Sequence, residues 1–112
     1  MKNEFLKIPE GRNRHNVLIN EIIHVYSKAG CSEIYLQNGL KHRWNKNLCQ
    51  VLEKLSEYQN FVQTHRSFIA NVKKVKTYRS HKRGGVIVMI NGSIVDISKR
   101  QKSEFLKKYN DL

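Results

Sequence analysis

The segment 61–71 sets three polar side chains, His65, Arg66 and Ser67, between apolar flanks: Phe61 and Val62 before, Phe68 and Ile69 after. The flanks can bury, which fixes the trio at one point of a packed scaffold, at a turn or a short break between strands. The arginine guanidinium offers a planar fork of donors that matches a phosphate or a guanine edge. Histidine and serine add shorter polar reach. A second pair of cations stands at Lys99 and Arg100. Ser98 and Gln101 have capping-box spacing, so this pair is expected in the first turn of a helix. Cations oppose the helix dipole there. Two of them at that end point to an outside anion, which the free N–H groups of the same turn also attract.

The same chain offers little to catalysis. His15, His24, His42, His65 and His81 show neither His-x-x-x-His nor His-x-His spacing, and none joins a cysteine pair in a zinc pattern. Asp96 and Asp111 are the only aspartates, too few for a two-metal nuclease or a hydrolase built on paired carboxylates. Gly84-Gly85 reads as a flexible loop end, not as a phosphate cradle. The expectation is a protein that is not an enzyme and uses neither cofactor nor metal.

Twenty-one Lys and Arg against nine Asp and Glu leave the 112 residues at +12 with histidines neutral. So large a charge repels itself in the compact state, and the usual match is a polyanion: DNA, RNA or an anionic membrane surface. The length suits one domain with one modest core. A hydrophobic content of 39% excludes compositional disorder. No apolar run approaches a membrane span, and Glu4, Pro9 and Glu10 interrupt any signal-peptide core. Membrane insertion is therefore not expected, and the expected location is cytoplasmic. In a reducing compartment Cys31 and Cys49 are free thiols. Cys49, on a helical apolar pattern, is expected to be buried or half-buried.

The elements that must hold the basic groups are mostly strands. Residues 1–14 read as a peripheral N-terminal arm, turn-rich at Pro9, Gly11 and Asn13, and residues 15–112 as the domain proper. Strands are expected at 17–19 and 22–26. Asn38-Gly39 and Asn91-Gly92 each mark a two-residue hairpin turn. That register sets Leu36 opposite Lys41 and puts Tyr35, Leu40 and Trp44 on one face. In the second hairpin it sets Val88 opposite Val95 and puts Ile87, Met89 and Ile94 together, leaving both faces apolar and at least part of the hairpin covered on both sides. Between the hairpins, Leu48, Val51, Leu52 and Leu55 make the apolar stripe of a helix over 45–58, capped by Asn45 or Asn47. Residues 72–78 read as a strand with a basic outer face and 79–85 as a basic loop. Phe105, Leu106 and Tyr109 form the stripe of a last short helix. Hairpins and meanders with one or two short helices amount to a mainly β domain of small antiparallel sheets.

Phe61, then His65-Arg66-Ser67-Phe68-Ile69-Ala70-Asn71, resembles the mark of the LytTR family of bacterial DNA-binding domains. That mark is a Phe, a polar and usually His-containing turn, Ser, an aromatic, an apolar pair and Asn. The resemblance continues through Asn91-Gly92, Ile94 to Ser98 and Lys99-Arg100, and upstream through residues 21–26, covering roughly residues 16–109. It implies an elongated stack of small antiparallel sheets whose loops, not a recognition helix, enter the DNA grooves. It also implies three contact regions meeting at one edge: Lys28 with its neighbours 30–32, including Ser32; His65 with Arg66; and Lys99 with Arg100. The first loop departs from the family in lacking a histidine. Lys74, Lys82, Arg83 and Lys102 would add phosphate attraction.

Each assignment has a plainer counterpart. Arg66 could pair with Glu57 or Glu21, His65 could bond the backbone and hold Arg66 in place, and Asn71 is expected to serve the backbone rather than a base. The resulting expectation is sequence-specific binding of double-stranded DNA by a transcriptional regulator. A second copy on paired DNA sites and a signalling or membrane protein are the further partners it implies. The family usually follows a receiver domain in two-component response regulators. This chain has no room for one and lacks its acidic cluster, so it is expected either to act alone or to be the effector part of a longer protein. Two other classes compete. One is a basic RNA- or ribosome-associated β protein, with Tyr26, Tyr35, Trp44, Phe68 and Tyr78 as stacking platforms. The other is a protein-interaction module docking through Phe5, Leu6 and Ile8.

Overall fold

The computed structural model describes residues 4–111. In chain order its elements are β1 (Phe5–Glu10), β2 (Asn13–Leu18), β3 (Ile22–Lys28), β4 (Cys31–Leu36), β5 (Lys41–Trp44), α1 (Leu48–Lys54), β6 (Phe61–His65), β7 (Phe68–Asn71), β8 (Val75–His81), β9 (Gly84–Met89), β10 (Ile94–Ser98) and α2 (Lys102–Asn110). Short 3-10 turns at Ile19–Glu21 and Val72–Lys74 link β2 to β3 and β7 to β8. The strands form three antiparallel sheets: the β1-β2 hairpin, a five-stranded sheet in the order β5-β4-β3-β7-β6, and a three-stranded sheet in the order β10-β9-β8. This is the expected mainly β stack with two short helices, drawn out to 46 × 35 × 25 Å.

The five-stranded sheet is the centre. On one face Val25, Ile34 and Ile69 pack with Leu48, Val51 and Leu55 around α1 and with Leu6, Ile8 and Val17 of the first hairpin. On the other, Val62 and Ala70 pack with Ile87, Met89, Val95 and Ile97 of the three-stranded sheet and with Phe105 of α2. The boundary expected after residue 14 falls inside β2, because β1 and β2 pair from Phe5↔Leu18 to Glu10↔Asn13. Burial of Leu6 and Ile8 draws that hairpin into the core. Residues 1–3 of the expected arm lie outside the described residues.

Helix α1 is shorter than its apolar stripe suggested. Asn47 starts it: its side chain accepts from the Gln50 N–H at 2.9 Å, and Gln50 Oε1 accepts from the Asn47 N–H at 3.0 Å. The stripe faces the core, and Cys49, one position off it, is exposed rather than half-buried. The strand expected from residue 72 begins only at Val75. Asn71 Oδ1 accepts from the Lys73 N–H at 3.0 Å and so caps a 3-10 turn there. The basic segment 79–85 is mostly strand, with residues 82–83 as its turn. Gly84 permits the close approach that follows, since a Cβ there would lie 2.0 Å from the Ile97 carbonyl oxygen and its φ is +132°.

Both Asn-Gly hairpins carry three-residue loops rather than two. The Leu36 N–H donates to the Leu40 carbonyl and the Gly39 N–H to that of Leu36; Met89, Ser93 and Gly92 repeat the pattern. Asn38 and Asn91 each accept, on the side-chain oxygen, the N–H two residues on. That Asx bond favours a loop in which the glycine alone takes positive φ, here +89° and +88°. The register therefore moves by one, to Tyr35↔Lys41, Ser32↔Trp44 and Val95↔Ile87. A one-residue shift exchanges the faces of a strand. Trp44 is thus buried on the Ile34 face, away from Tyr35, and Leu40 is 58% exposed. In the second hairpin Ile87, Met89, Val95 and Ile97 point inward, while Ile94 faces out at 65% exposure, so the expected second cover is missing among the described residues.

Candidate nucleic-acid interface

Strand pairing decides which basic groups share an edge. Lys28, at the end of β3, lies opposite Cys31; Tyr26 lies opposite Phe68; and His65, at the end of β6, lies opposite Phe68. The turns at 29–30 and 66–67 therefore leave the same end of the five-stranded sheet. One backbone bond closes that edge: the Ser27 N–H donates to the Ser67 carbonyl at 2.8 Å. Ala29 and Gly30 both take positive φ, +52° and +80°, which makes the first turn tight and brings Lys28 to the rim.

Lys28 and Arg66 are both exposed. Among the described residues Arg66 makes no ion pair, so the pairing with Glu57 or Glu21 does not form. His65 is half-buried, and its Nδ1 accepts the Ser67 N–H at 3.1 Å. That bond spans the residue between them and holds the turn that presents Arg66. With Nδ1 accepting, the neutral ring carries its proton on Nε2 and is a donor there. Asn71 is 1% exposed and serves the backbone: its Nδ2 donates to the Ile22 carbonyl at 2.8 Å, and its Oδ1 accepts from Asn60 as well as from Lys73.

Ser32 is out of reach of any ligand. It is fully buried, and its hydroxyl donates to the Lys46 carbonyl at 2.7 Å. The register explains this: opposite Trp44, Ser32 points inward. Lys74 lies at the far end of the five-stranded sheet, where its Nζ donates to Gln37 Oε1 at 2.9 Å beside the 37–39 loop.

Lys99 and Arg100 belong to the other sheet. β10 ends at Ser98 opposite Gly84, and the pair follows in a turn before α2, not in its first helical turn. Neither cation therefore stands in the first helical turn against the dipole. Ser98 Oγ still accepts from the Gln101 N–H at 3.2 Å. Since Gly84 directly follows Lys82-Arg83, the tips 82–83 and 99–100 stand side by side, and all four cations are exposed. Lys102 is half-buried, and its Nζ donates to Ser80 Oγ, tying α2 to β8. The structure thus brings Lys28, His65 and Arg66 to one sheet edge, and Lys82, Arg83, Lys99 and Arg100 to a second cluster. The second is held to the first through β10, which packs on β6 and β7, and through Gln101, which lines a cavity of about 290 Å³ with Gln63 of β6.

Two titratable groups stand behind the first edge. His24 is 5% exposed and stacks on Tyr35, ring centroids 4.4 Å apart and 10° from parallel. Burial pushes its pKa down to about 4. Burial raises the Glu33 carboxyl, but Lys41, at 3.3 Å, and Lys28 outweigh it and hold the group below the usual range. Glu33 is therefore an ionised carboxylate paired with Lys41.

Sequence reasoning passed over the end of β5. Arg43, in the ladder with β4, and Lys46, whose carbonyl Ser32 holds, reach the same sheet end as Lys28. The signal was available in the Asn38-Gly39 hairpin itself, which under either register returns the end of β5 beside the start of β4. Among the described residues no three His, Cys, Asp or Glu side chains come together to hold a metal ion. Nor, among the described residues, is any helix long and apolar enough to cross a membrane.

A model of the LytTr DNA-binding domain family matches residues 12–110. The fold is similar to a solved structure from Bacillus cereus, described as the LytTr DNA-binding domain of a methyl-accepting/DNA response regulator. The TM-score is 0.79 and the identity 22%, over 96% of this chain and 97% of that one. No curated protein matches the chain.

Proposed function

The chain belongs to the LytTr DNA-binding domain family, whose model takes in nearly all of it, and from that premise we propose that it reads double-stranded DNA through the Lys28–Arg66 sheet edge as the effector domain of a transcriptional regulator. The observation that carries this reading is the Ser27–Ser67 backbone bond, which sets two exposed cations from distant parts of the chain on one rigid rim. Arg66 is the base reader: it stands at a hairpin tip with its guanidinium unpaired, the geometry that a bidentate guanine contact requires. His65 positions it. Lys28 holds phosphate. Lys99, Arg100, Lys82 and Arg83 supply a second phosphate-binding cluster, and Arg100 is the second candidate for a base. Two copies occupy paired sites on one DNA, and a signalling protein sets their activity. No catalytic step is assigned to the chain.

The competing readings lose part of their support. Trp44 is 5% exposed and Tyr78 packs on Phe105, so neither is an open platform for a base. Of the expected docking residues Leu6 and Ile8 are buried in the chain's own core, which leaves Phe5 alone exposed, at 51%.

Titration of Arg66→Ala and Arg100→Ala against a selected duplex and a scrambled one tests the assignment. A base-reading arginine loses about 1–3 kcal/mol on the selected duplex and relaxes preference at one position. A phosphate contact weakens both duplexes alike and lowers the salt slope by about one. No loss on either duplex removes both residues from the site.

A further inference from the structure

We infer that Arg43 and Lys46, at the corner between β5 and α1, extend the DNA-binding edge and hold the phosphates that flank the bases read by Arg66. This rests on the DNA-binding reading above.

The placement follows from topology. β5 is the outer strand of the five-stranded sheet, and it ends at Trp44 opposite Ser32. Its end, the β3-β4 turn and the β6-β7 turn therefore lie along one rim. Neighbouring strands are about 4.8 Å apart. β5 is three strand spacings from β7, so the corner sits on the order of 14 Å from the turn that carries Arg66. At about 3.4 Å per base pair that is roughly four base pairs. Such a span lets Arg66 enter a groove while the corner lies over the backbone beside it.

The corner is built, not frayed. The fully buried Ser32 hydroxyl holds the Lys46 carbonyl at 2.7 Å. The Lys46 ammonium stands 5.6 Å over the ring of the buried Trp44. Cys31 Sγ donates to Asn45 Oδ1 at 3.4 Å. These contacts tie the three residues after Arg43 to β4 and to the core.

The charges there are unspent. Arg43 lies opposite Glu33 in the ladder, yet Glu33 takes Lys41 as its partner at 3.3 Å. The Arg43 guanidinium reaches along the strand instead and donates to Cys31 Sγ at 3.6 Å. A sulfur is a weak acceptor and neutralises nothing. Among the described residues neither Arg43 nor Lys46 has a carboxylate partner. Two fixed, unneutralised cations on a rim that already carries Lys28 and Arg66 suit a phosphate backbone.

The test compares Arg43→Gln, Lys46→Gln and the double variant with wild type, by titrating a fluorescent duplex across a salt series. Lys74→Gln, at the far end of the sheet, is the charge control. The expected result is a loss of roughly tenfold in the double variant, equal on selected and scrambled duplexes, with the salt slope lowered by about two. Lys74→Gln is expected to leave the slope in place. If the double variant does not melt like wild type, the single Lys46→Gln is read instead, with a slope change of about one. A wild-type slope in a folded variant, an equal change in Lys74→Gln, or a loss confined to the selected duplex overturns the inference while the DNA reading stands. A wild-type chain that binds no duplex overturns the DNA reading and this inference with it.

Discussion

The Ser27 N–H and the Ser67 carbonyl meet at 2.8 Å, one residue beyond the Tyr26↔Phe68 ladder pair. Two turns separated by almost forty residues in sequence are thereby joined through backbone alone. The relation between Lys28 and Arg66 depends on the sheet, not on the rotamer of either side chain.

Lys28 and Arg66 are expected to differ in kind. Lys28→Ala should weaken binding to every duplex by the same factor and lower the salt slope by about one, without changing sequence preference. Altered preference in that variant would place Lys28 at a base instead.

His65 accepts the Ser67 N–H and is expected to act on DNA only through Arg66. His65→Ala is expected to reduce affinity in the wild-type background and to have little further effect in an Arg66→Ala background. Additive losses in the double variant would show that His65 touches DNA itself.

Ser32→Ala should act on stability. It leaves the Lys46 carbonyl without its partner at a buried site, a cost of about 1–2 kcal/mol. The melting temperature should fall by several degrees, while sequence preference measured well below it stays unchanged. Wild-type melting with lost preference would return Ser32 to the binding surface.

Asn71→Ala removes bonds to Ile22, Asn60 and Lys73 at a position 1% exposed. A loss of about 3 kcal/mol in urea unfolding is expected, since buried groups are left unpaired. A variant of wild-type stability with altered base preference would contradict the structural role.

The fold should weaken in mild acid through His24. Its folded pKa of about 4 lies below the ordinary 6.5, so the unfolded chain binds the proton more tightly. The stability from keeping this ring neutral is whole above pH 6.5 and is lost as pH falls towards 4, on the order of 3 kcal/mol in all. His24→Phe keeps a ring against Tyr35 and removes the titration. Melting curves at pH 7.5 and 5.0 should show a smaller drop in the variant than in wild type; equal drops would assign the acid sensitivity elsewhere.

Element types were legible where composition and punctuation agree. The apolar flanks of His65-Arg66-Ser67 do pair, Phe61 with Asn71 and Val62 with Ala70, and so leave Arg66 and Ser67 at a tip. Register was harder, because Asn-Gly serves two-residue and three-residue loops alike and a side-chain bond from the Asn chooses between them. That single residue of slip hid the face on which Trp44 is buried and the exposure of Ile94. The local settings of Lys74 and Lys99, expected in a strand and in a first helical turn, were misread for a related reason. Each stands at a junction, one in a 3-10 turn capped by Asn71 and one in a turn after β10, where neither alternation nor helical spacing applies.

The most direct test of the central claim is selection from randomised double-stranded DNA at about physiological salt, with sequencing of the retained fraction, for wild type and Arg66→Ala in parallel. Sequence-specific reading by Arg66 requires that wild type enrich two short motifs spaced near one helical turn and that Arg66→Ala lose preference at one base pair of each. Retention with no enriched sequence, lost steeply as salt rises, would contradict it and leave a non-specific polyanion binder.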